Sequence, residues 1–175
     1  LMLEGLMVSP VKPIAVGLGE RDLLMGLDWL KSEETRWSVP FVLSNLDCDD
    51  TTFESVRRVQ LESQTMAVYS MISPSILEGQ TYGTLRSANE VLSGCRIVQP
   101  SDWLREHQAD ADIHVVFADL NDNEMDALTP WADLLVETKI GKMNHHPKAI
   151  DATTVWVGPG SKGKNILEIS WTWDS

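Results

Sequence analysis

The side chains that could bind a metal or transfer a proton lie far apart in this sequence. His145 and His146 are adjacent, and Asp119 follows the most apolar strand-like run, residues 113–117. Because ligands of open α/β sheets bind beyond the carboxyl ends of the strands, Asp119 is the best placed carboxylate. Neighbouring residues of a strand point to opposite faces, so both histidines would reach one ion only from a bent loop. Taken alone, each of these groups is more often a solvated loop residue.

Two glycine-containing segments could hold a phosphate or a dinucleotide. Residues 158–164 contain three glycines and two lysines, but a strand-like run follows them, so the helix N-terminus of a phosphate loop is missing. This segment is predicted to be a hairpin turn. Gly17 and Gly19 precede a predicted helix, but the third glycine of a dinucleotide fingerprint would fall at Asp22.

The charge balance excludes several classes of function. The 175 residues include 14 Lys+Arg and 26 Asp+Glu, which gives a formal net charge of −12. A surface of this sign repels nucleic-acid phosphates and anionic lipid head groups. No apolar run approaches the ~20 residues of a membrane span. The acidic turn formed by Asp47, Asp49 and Asp50 could hold a hard cation, but such carboxylates are more often simply hydrated.

The two cysteines and the N-terminal residues leave the compartment open. Cys48 and Cys95 stand apart from each other and from any histidine, which excludes a CxxC redox pair and a zinc knuckle. Two separate thiols are the favoured interpretation, and one disulfide is the alternative. Residues 1–7 are apolar but lack a basic region and a cleavage site, so they do not predict a signal peptide.

Hydrophobic periodicity alternates short strands with helices. Strands are predicted at residues 13–17, 41–43, 56–61, 66–72, 96–98, 113–117, 132–136 and 153–157, and helices at 21–31, 85–92, 100–108 and 121–128. Runs 56–61 and 66–72 predict an antiparallel hairpin, whereas the strand–helix–strand units predict parallel pairing. Residues 166–173 alternate in polarity and predict an antiparallel partner for 153–157. The pattern indicates one α/β domain over residues 1–175.

Five segments carry motifs in a recognisable order. They are Val16–Asp22, Val39–Leu46, Ile113–Leu120, Ala132–Val136 and Val157–Lys164. In order and spacing they resemble the calcineurin-like metallophosphoesterase domain of the 5′-nucleotidase family, whose motifs read Gly-Asn-His-Glu-Phe-Asp, Phe-Pro to Ala-Asn, Ser-His-Leu-Gly, Val-Asp-x-Ile to Gly-Gly-His-x-His, and Gly-Ser-x-Gly-Lys. The resemblance implies a partial αββα sandwich with mixed sheets and C-terminal antiparallel strands. Its matching framework residues are Glu20, Asp22, Asn45, Gly160 and Gly163.

At the positions where that family binds its metals, this sequence carries other residue types. The resemblance places Leu18 at the metal-bridging Asn, Gly19 at the catalytic His and Asp119 at a ligand His. The last two ligand histidines fall at Lys139 and Gly141. The family's first ligands would precede residue 1, which implies an N-terminally incomplete domain. Two-metal hydrolysis needs two cations about 3.5–4 Å apart, and of these positions only Asp119 could still bind one.

The sequence therefore favours a non-catalytic 5′-nucleotidase-like metallophosphoesterase domain retained for binding or assembly, with no catalytic residue and no cofactor. The expected partner is another protein or a second copy of the chain, and Trp171 and Trp173 on one strand face are a candidate surface. The alternative is a metal-dependent phosphoester hydrolase in which Asp119, His145 and His146 bind Mn, Zn or Mg. The resemblance alone favours a periplasmic or extracellular location.

Overall fold

Three β-sheets and five α-helices form the part of the chain that the computed structural model describes, residues 12–50, 52–78, 88–138, 144–150 and 153–158. The strands are β1 (Val16–Gly17), β2 (Phe41–Val42), β3 (Leu46–Cys48), β4 (Arg57–Gln60), β5 (Thr65–Ile72), β6 (Cys95–Ile97), β7 (Ile113–Asp119), β8 (Leu134–Glu137), β9 (Asn144–Ala149) and β10 (Val155–Gly158). The helices are α1 (Glu20–Leu23), α2 (Leu27–Trp37), α3 (Ala88–Val91), α4 (Pro100–His107) and α5 (Asp122–Asp126), with 3₁₀ turns at Pro74–Glu78 and Thr129–Trp131.

A six-stranded mixed sheet is the centre of the fold. Its strand order is β4-β5-β7-β8-β10-β9. The pairs β5–β7, β7–β8 and β8–β10 are parallel, and β4 and β9 are antiparallel to their neighbours. The predicted mixed α/β architecture and the 57–72 hairpin are confirmed. The partner predicted for β10, residues 166–173, lies outside the described residues.

Strand β9 was not predicted, because its His-His-Pro sequence is typical of a loop. Proline cannot donate to a β-ladder, so within sheets it occurs mainly on edge strands. Pro147 meets that condition, because β9 is the last strand of the six-stranded sheet.

The six-stranded sheet has a helical layer on one face and a second β-layer on the other. Tyr69, Trp103 and Met125 belong to the apolar cluster between the sheet and helices α4 and α5. On the opposite face, β1 and β2 form a parallel pair whose Gly17 lies against Ser70 and Phe117. Helix α2 packs on β2 through a separate apolar cluster. This layering is the expected partial αββα sandwich.

Strands β3 and β6 form an antiparallel ribbon outside the large sheet. The segment of Asp47, Asp49 and Asp50 was predicted to be an acidic turn, but Leu46–Cys48 pair with Cys95–Ile97. Pairing with a strand distant in the sequence has overridden the local turn preference. Cys48 and Cys95 face each other in this pairing and are joined by a disulfide, so the prediction of two separate thiols was wrong.

None of the helices in the described ranges is long and apolar enough to span a bilayer.

Asn45 fastens the β3–β6 ribbon to the large sheet. Its side chain is 1% exposed, its Nδ2 donates to the carbonyls of Ile72 at 2.8 Å and Val98 at 2.7 Å, and its Oδ1 accepts from the Ile72 amide at 3.0 Å. The Val98 amide in turn donates to the Asn45 carbonyl at 2.9 Å. Both amide hydrogens and the side-chain oxygen are thus used, as a buried amide requires. One residue therefore holds the ends of β5 and β6 together.

Replacing Asn45 with Ala should lower the free energy of unfolding by about 3 kcal/mol or more, because each buried backbone group left unsatisfied costs about 1–3 kcal/mol. Urea unfolding measures this loss. Asn123→Ala is the matched control, since Asn123 is exposed on α5 and its truncation should cost no more than about 0.5 kcal/mol. A loss below about 1 kcal/mol for Asn45→Ala would show that the three side-chain bonds do not hold the ribbon.

Candidate functional site

The candidate site lies at the carboxyl edge of the parallel strands, where the sequence places Asp119. Ile72 and Asp119 are paired residues at the ends of β5 and β7. Strand β1 reaches the same edge by passing very close to the sheet, since a Cβ added to Gly17 would lie 2.9 Å from Ser70 Oγ and 3.1 Å from Phe117 Cβ. Real Cβ atoms do not approach to 2.9 Å, so only glycine lets β1 run this close.

Two carboxylates fix the turn that leads from β1 into α1. Asp119 Oδ2 accepts the Glu20 amide at 3.1 Å, and Asp22 Oδ2 accepts the Gly19 amide at 2.9 Å. A Cβ on Gly19 would lie 3.2 Å from Asp119 Oδ2 and 3.7 Å from Asp22 Oδ2. The structure thus brings Glu20, Asp22 and Asp119 together. It leaves little room for a side chain at position 19.

The environment of Asp22 favours its protonated form. Burial of the carboxylate raises the pKa of Asp22, the Gly19 amide that it accepts lowers it, and the negative charge of Asp119 raises it. The net result is a pKa above the ordinary value of 3.8. The negative charge of Asp119 thus acts together with burial to disfavour ionisation of Asp22.

Two further carboxylates at this edge were missed from the sequence. Glu124 accepts the Ser73 hydroxyl at 2.8 Å and the Asn121 amide at 3.0 Å. Glu137 ends β8 beside Ala118 of β7 and is 1% exposed. Glu137 directly follows the apolar run 132–136, and the same edge rule that selected Asp119 would have selected it.

Leu18, which the resemblance places at the family's bridging Asn, belongs to the apolar core. It is 2% exposed and lies in the cluster that contains Leu23, Leu30, Phe41 and Ile72. Across the described ranges, no three His, Cys, Asp or Glu side chains converge where they could hold a metal ion. The residues at this edge do not fit a two-metal centre, because position 18 is apolar and buried and position 19 has no side chain.

The histidine pair lies on a different strand from Asp119. Strand β9 carries His145 and His146, and β8 and β10 separate it from β7. Three strand spacings amount to about 14 Å, whereas ligands bind zinc at about 2.0–2.2 Å. This sheet order therefore disfavours binding of a single ion by Asp119 together with His145 and His146. Lys139, Gly141, Gly160 and Gly163 lie outside the described residues.

The architecture and the carboxyl-edge geometry together define a class. The protein has the calcineurin-like metallophosphoesterase fold of 5′-nucleotidase type, with an edge whose residues do not fit the two-metal centre. No protein-family model and no curated protein sequence matches the chain. The likeness is therefore one of structure.

Three solved structures illustrate this likeness. A protein from Staphylococcus aureus assigned as a candidate 5′-nucleotidase and solved with alpha-ketoglutarate has a TM-score of 0.63 at 18% identity, over 84% of this chain and 32% of its own. The sulfate thiohydrolase SoxB of Thermus thermophilus, solved with glycerol, has a TM-score of 0.61 at 15% identity, and the match covers 86% of this chain and 28% of SoxB. A 5′-nucleotidase precursor, also from Thermus thermophilus, has a TM-score of 0.59 at 14% identity, and the match covers 84% of this chain and 32% of the precursor. At these identities the likeness shows the fold alone, and this chain spans about a third of each structure or less.

A carbon-13 NMR titration of the carboxyl groups should give Asp22 a pKa above 3.8, and Asp119→Asn should lower it, because the neighbouring charge is then removed. The folded protein binds this proton more tightly than the unfolded chain. The contribution of Asp22 to stability therefore falls as pH rises from 3.8 through its folded pKa. Asp22→Asn should accordingly gain stability relative to wild type over that interval. A measured Asp22 pKa of 3.8 or lower would show that the hydrogen bond from the Gly19 amide outweighs burial and the charge of Asp119.

Proposed function

We propose that this chain is a non-catalytic 5′-nucleotidase-like metallophosphoesterase domain retained for binding or assembly. The observation that carries the proposal is the burial of residue 18 and the absence of a side chain at residue 19. Leu18 is packed into the core, and Gly19 has no side chain and lies under the Asp119 carboxylate. A two-metal phosphoesterase needs ligands that hold two cations. Neither residue can be such a ligand or donate a proton to a leaving group.

The charge of the edge supports the same proposal. Asp119 ends β7, and Asp22 and Glu124 lie on the segments that follow β1 and β7. A phosphate monoester carries about −1.5 to −2 charge at pH 7. Ionised carboxylates repel such a group, and the net charge of −12 adds to the repulsion.

A rearranged hydrolase that uses Asp119, His145 and His146 is the second candidate. One observation favours it: Asn144, the first residue of β9, pairs with Gly158 at the carboxyl end of β10, so β9 begins at the same edge of the sheet. The separation between β9 and β7 counts against it. A Mn, Zn or Mg ion at this edge would therefore bind either near Asp119 on β7 or near the histidines of β9.

A location outside the cytoplasm is proposed on the strength of the disulfide. Cys48 and Cys95 are bonded in the structure, and stable disulfides are typical of exported proteins. The partner is proposed to be another protein or a second copy of this chain, since the acidic surface disfavours nucleic acid.

Assays of the purified protein with nucleoside monophosphates and Mn²⁺, Mg²⁺ or Zn²⁺ should release no phosphate above the protein-free blank. Asp119→Asn is the matched control, because it removes the one carboxylate at an aligned ligand position without a change in size. Metal-dependent phosphate release that Asp119→Asn abolishes would overturn the proposal and favour the rearranged hydrolase. Metal-dependent release that persists in the variant and co-purifies with the protein would overturn the proposal as well, because His145 and His146 remain.

A further inference from the structure

The ribbon of β3 and β6 is held by different bonds at its two ends. Its pairs are Leu46 with Ile97, Asp47 with Arg96, and Cys48 with Cys95. At the Leu46 end, Asn45 ties the ribbon to β5 through Ile72. At the other end, the ribbon is closed by the Cys48–Cys95 disulfide. Neither strand takes part in the six-stranded sheet.

This ribbon forms one wall of a surface groove of about 450 Å³. The groove is lined among others by Leu46, Cys48, Phe53, Val98, Trp103 and His107. Helix α4 also lines the groove, through Trp103 and His107, whose rings stack with centroids 4.7 Å apart. Cys48 is partly exposed and lines the groove, which is the side from which a small thiol would approach the disulfide.

The disulfide is the strongest constraint at the open end of the ribbon. The neighbouring Arg96–Asp47 ion pair is 3.1 Å long, but its side chains are 76% and 66% exposed. Exposed pairs of this kind contribute little to stability. The disulfide covalently joins the two facing residues of the last ladder pair, so it resists separation of the strands at this end.

We propose that the Cys48–Cys95 disulfide is a redox-sensitive clasp that holds the β3–β6 wall of this groove in place. A dithiol reductant attacks one sulfur and breaks the S–S bond through a mixed disulfide. Its second thiol then displaces the other cysteine. The protein gains two electrons and two protons as two thiols, and the reductant becomes a disulfide.

Reduction should release the ribbon from its open end while the large sheet stays folded. Three ladder pairs, one exposed ion pair and the packing of the ribbon's apolar residues on the core cluster then remain, with Asn45 as the anchor at the opposite end. A short, partly exposed ribbon of this kind opens locally with less free energy than the buried six-stranded sheet. The groove is thus fully formed only in the oxidised protein. This holds whether or not the domain is catalytic.

Hydrogen exchange with mass spectrometry tests the clasp on the full chain, with and without dithiothreitol. In the reduced protein, amides of residues 46–48 and 95–97 should exchange at least about tenfold faster, while β7 and β8 keep their protection. Cys48→Ser with Cys95→Ser should reproduce this pattern without reductant. Arg96→Gln is the matched control, because it removes the ion pair and keeps the disulfide, so it should change exchange in the ribbon by less than about threefold.

Two results would overturn the proposal. Unchanged exchange in the ribbon after complete reduction, verified by thiol titration, would show that the other contacts suffice to hold the wall. Faster exchange throughout β5, β7 and β8 would show that the disulfide stabilises the whole domain and is no local clasp. If the double variant does not fold, reduction of the wild-type protein still distinguishes these results.

Discussion

The close approach of residues 17–19 to the six-stranded sheet is the constraint on which the rest of the structure depends. Gly17 lies against Ser70 and Phe117, and Gly19 lies against Asp119. Because no side chain intervenes, β1 and β2 pack directly on one face of the sheet and α1 starts at its carboxyl edge. The same contact brings Asp119 to the Glu20 amide and Asp22 to the Gly19 amide. Backbone packing thus leaves little room for a side chain at position 19.

This chain shares an architecture with the compared structures but carries its own set of side chains at the carboxyl edge. Structures of nucleotidases and of SoxB share the architecture over 84–86% of the chain. Here the equivalent edge consists of a buried leucine, a glycine and carboxylates that cap a turn. Fold alone does not define an activity, which resides in the side chains of the site. In this protein those side chains stabilise the junction between the two β-layers.

Much of the scaffold could be predicted because its signals are local. The apolar run 113–117 predicted β7, and the edge rule placed Asp119 at its end. The disulfide could not be predicted, because Cys48 lies in a polar segment and its partner strand is distant in the sequence. Strand β9 was missed because His145, His146 and Pro147 are poor strand formers, and only pairing with β10 makes them a strand. The core position of Leu18 follows from packing with Phe41 and Ile72, which periodicity does not reveal.

Metal content tests the central claim, that the carboxyl edge holds no catalytic metal, most directly. Protein purified without chelator and exchanged into metal-free buffer should carry less than about one tenth of a transition-metal ion per chain by inductively coupled plasma mass spectrometry, because buried or missing side chains provide too few ligands for tight binding. About one tightly bound ion per chain, lost on substitution of Asp119 by Asn, would contradict the account.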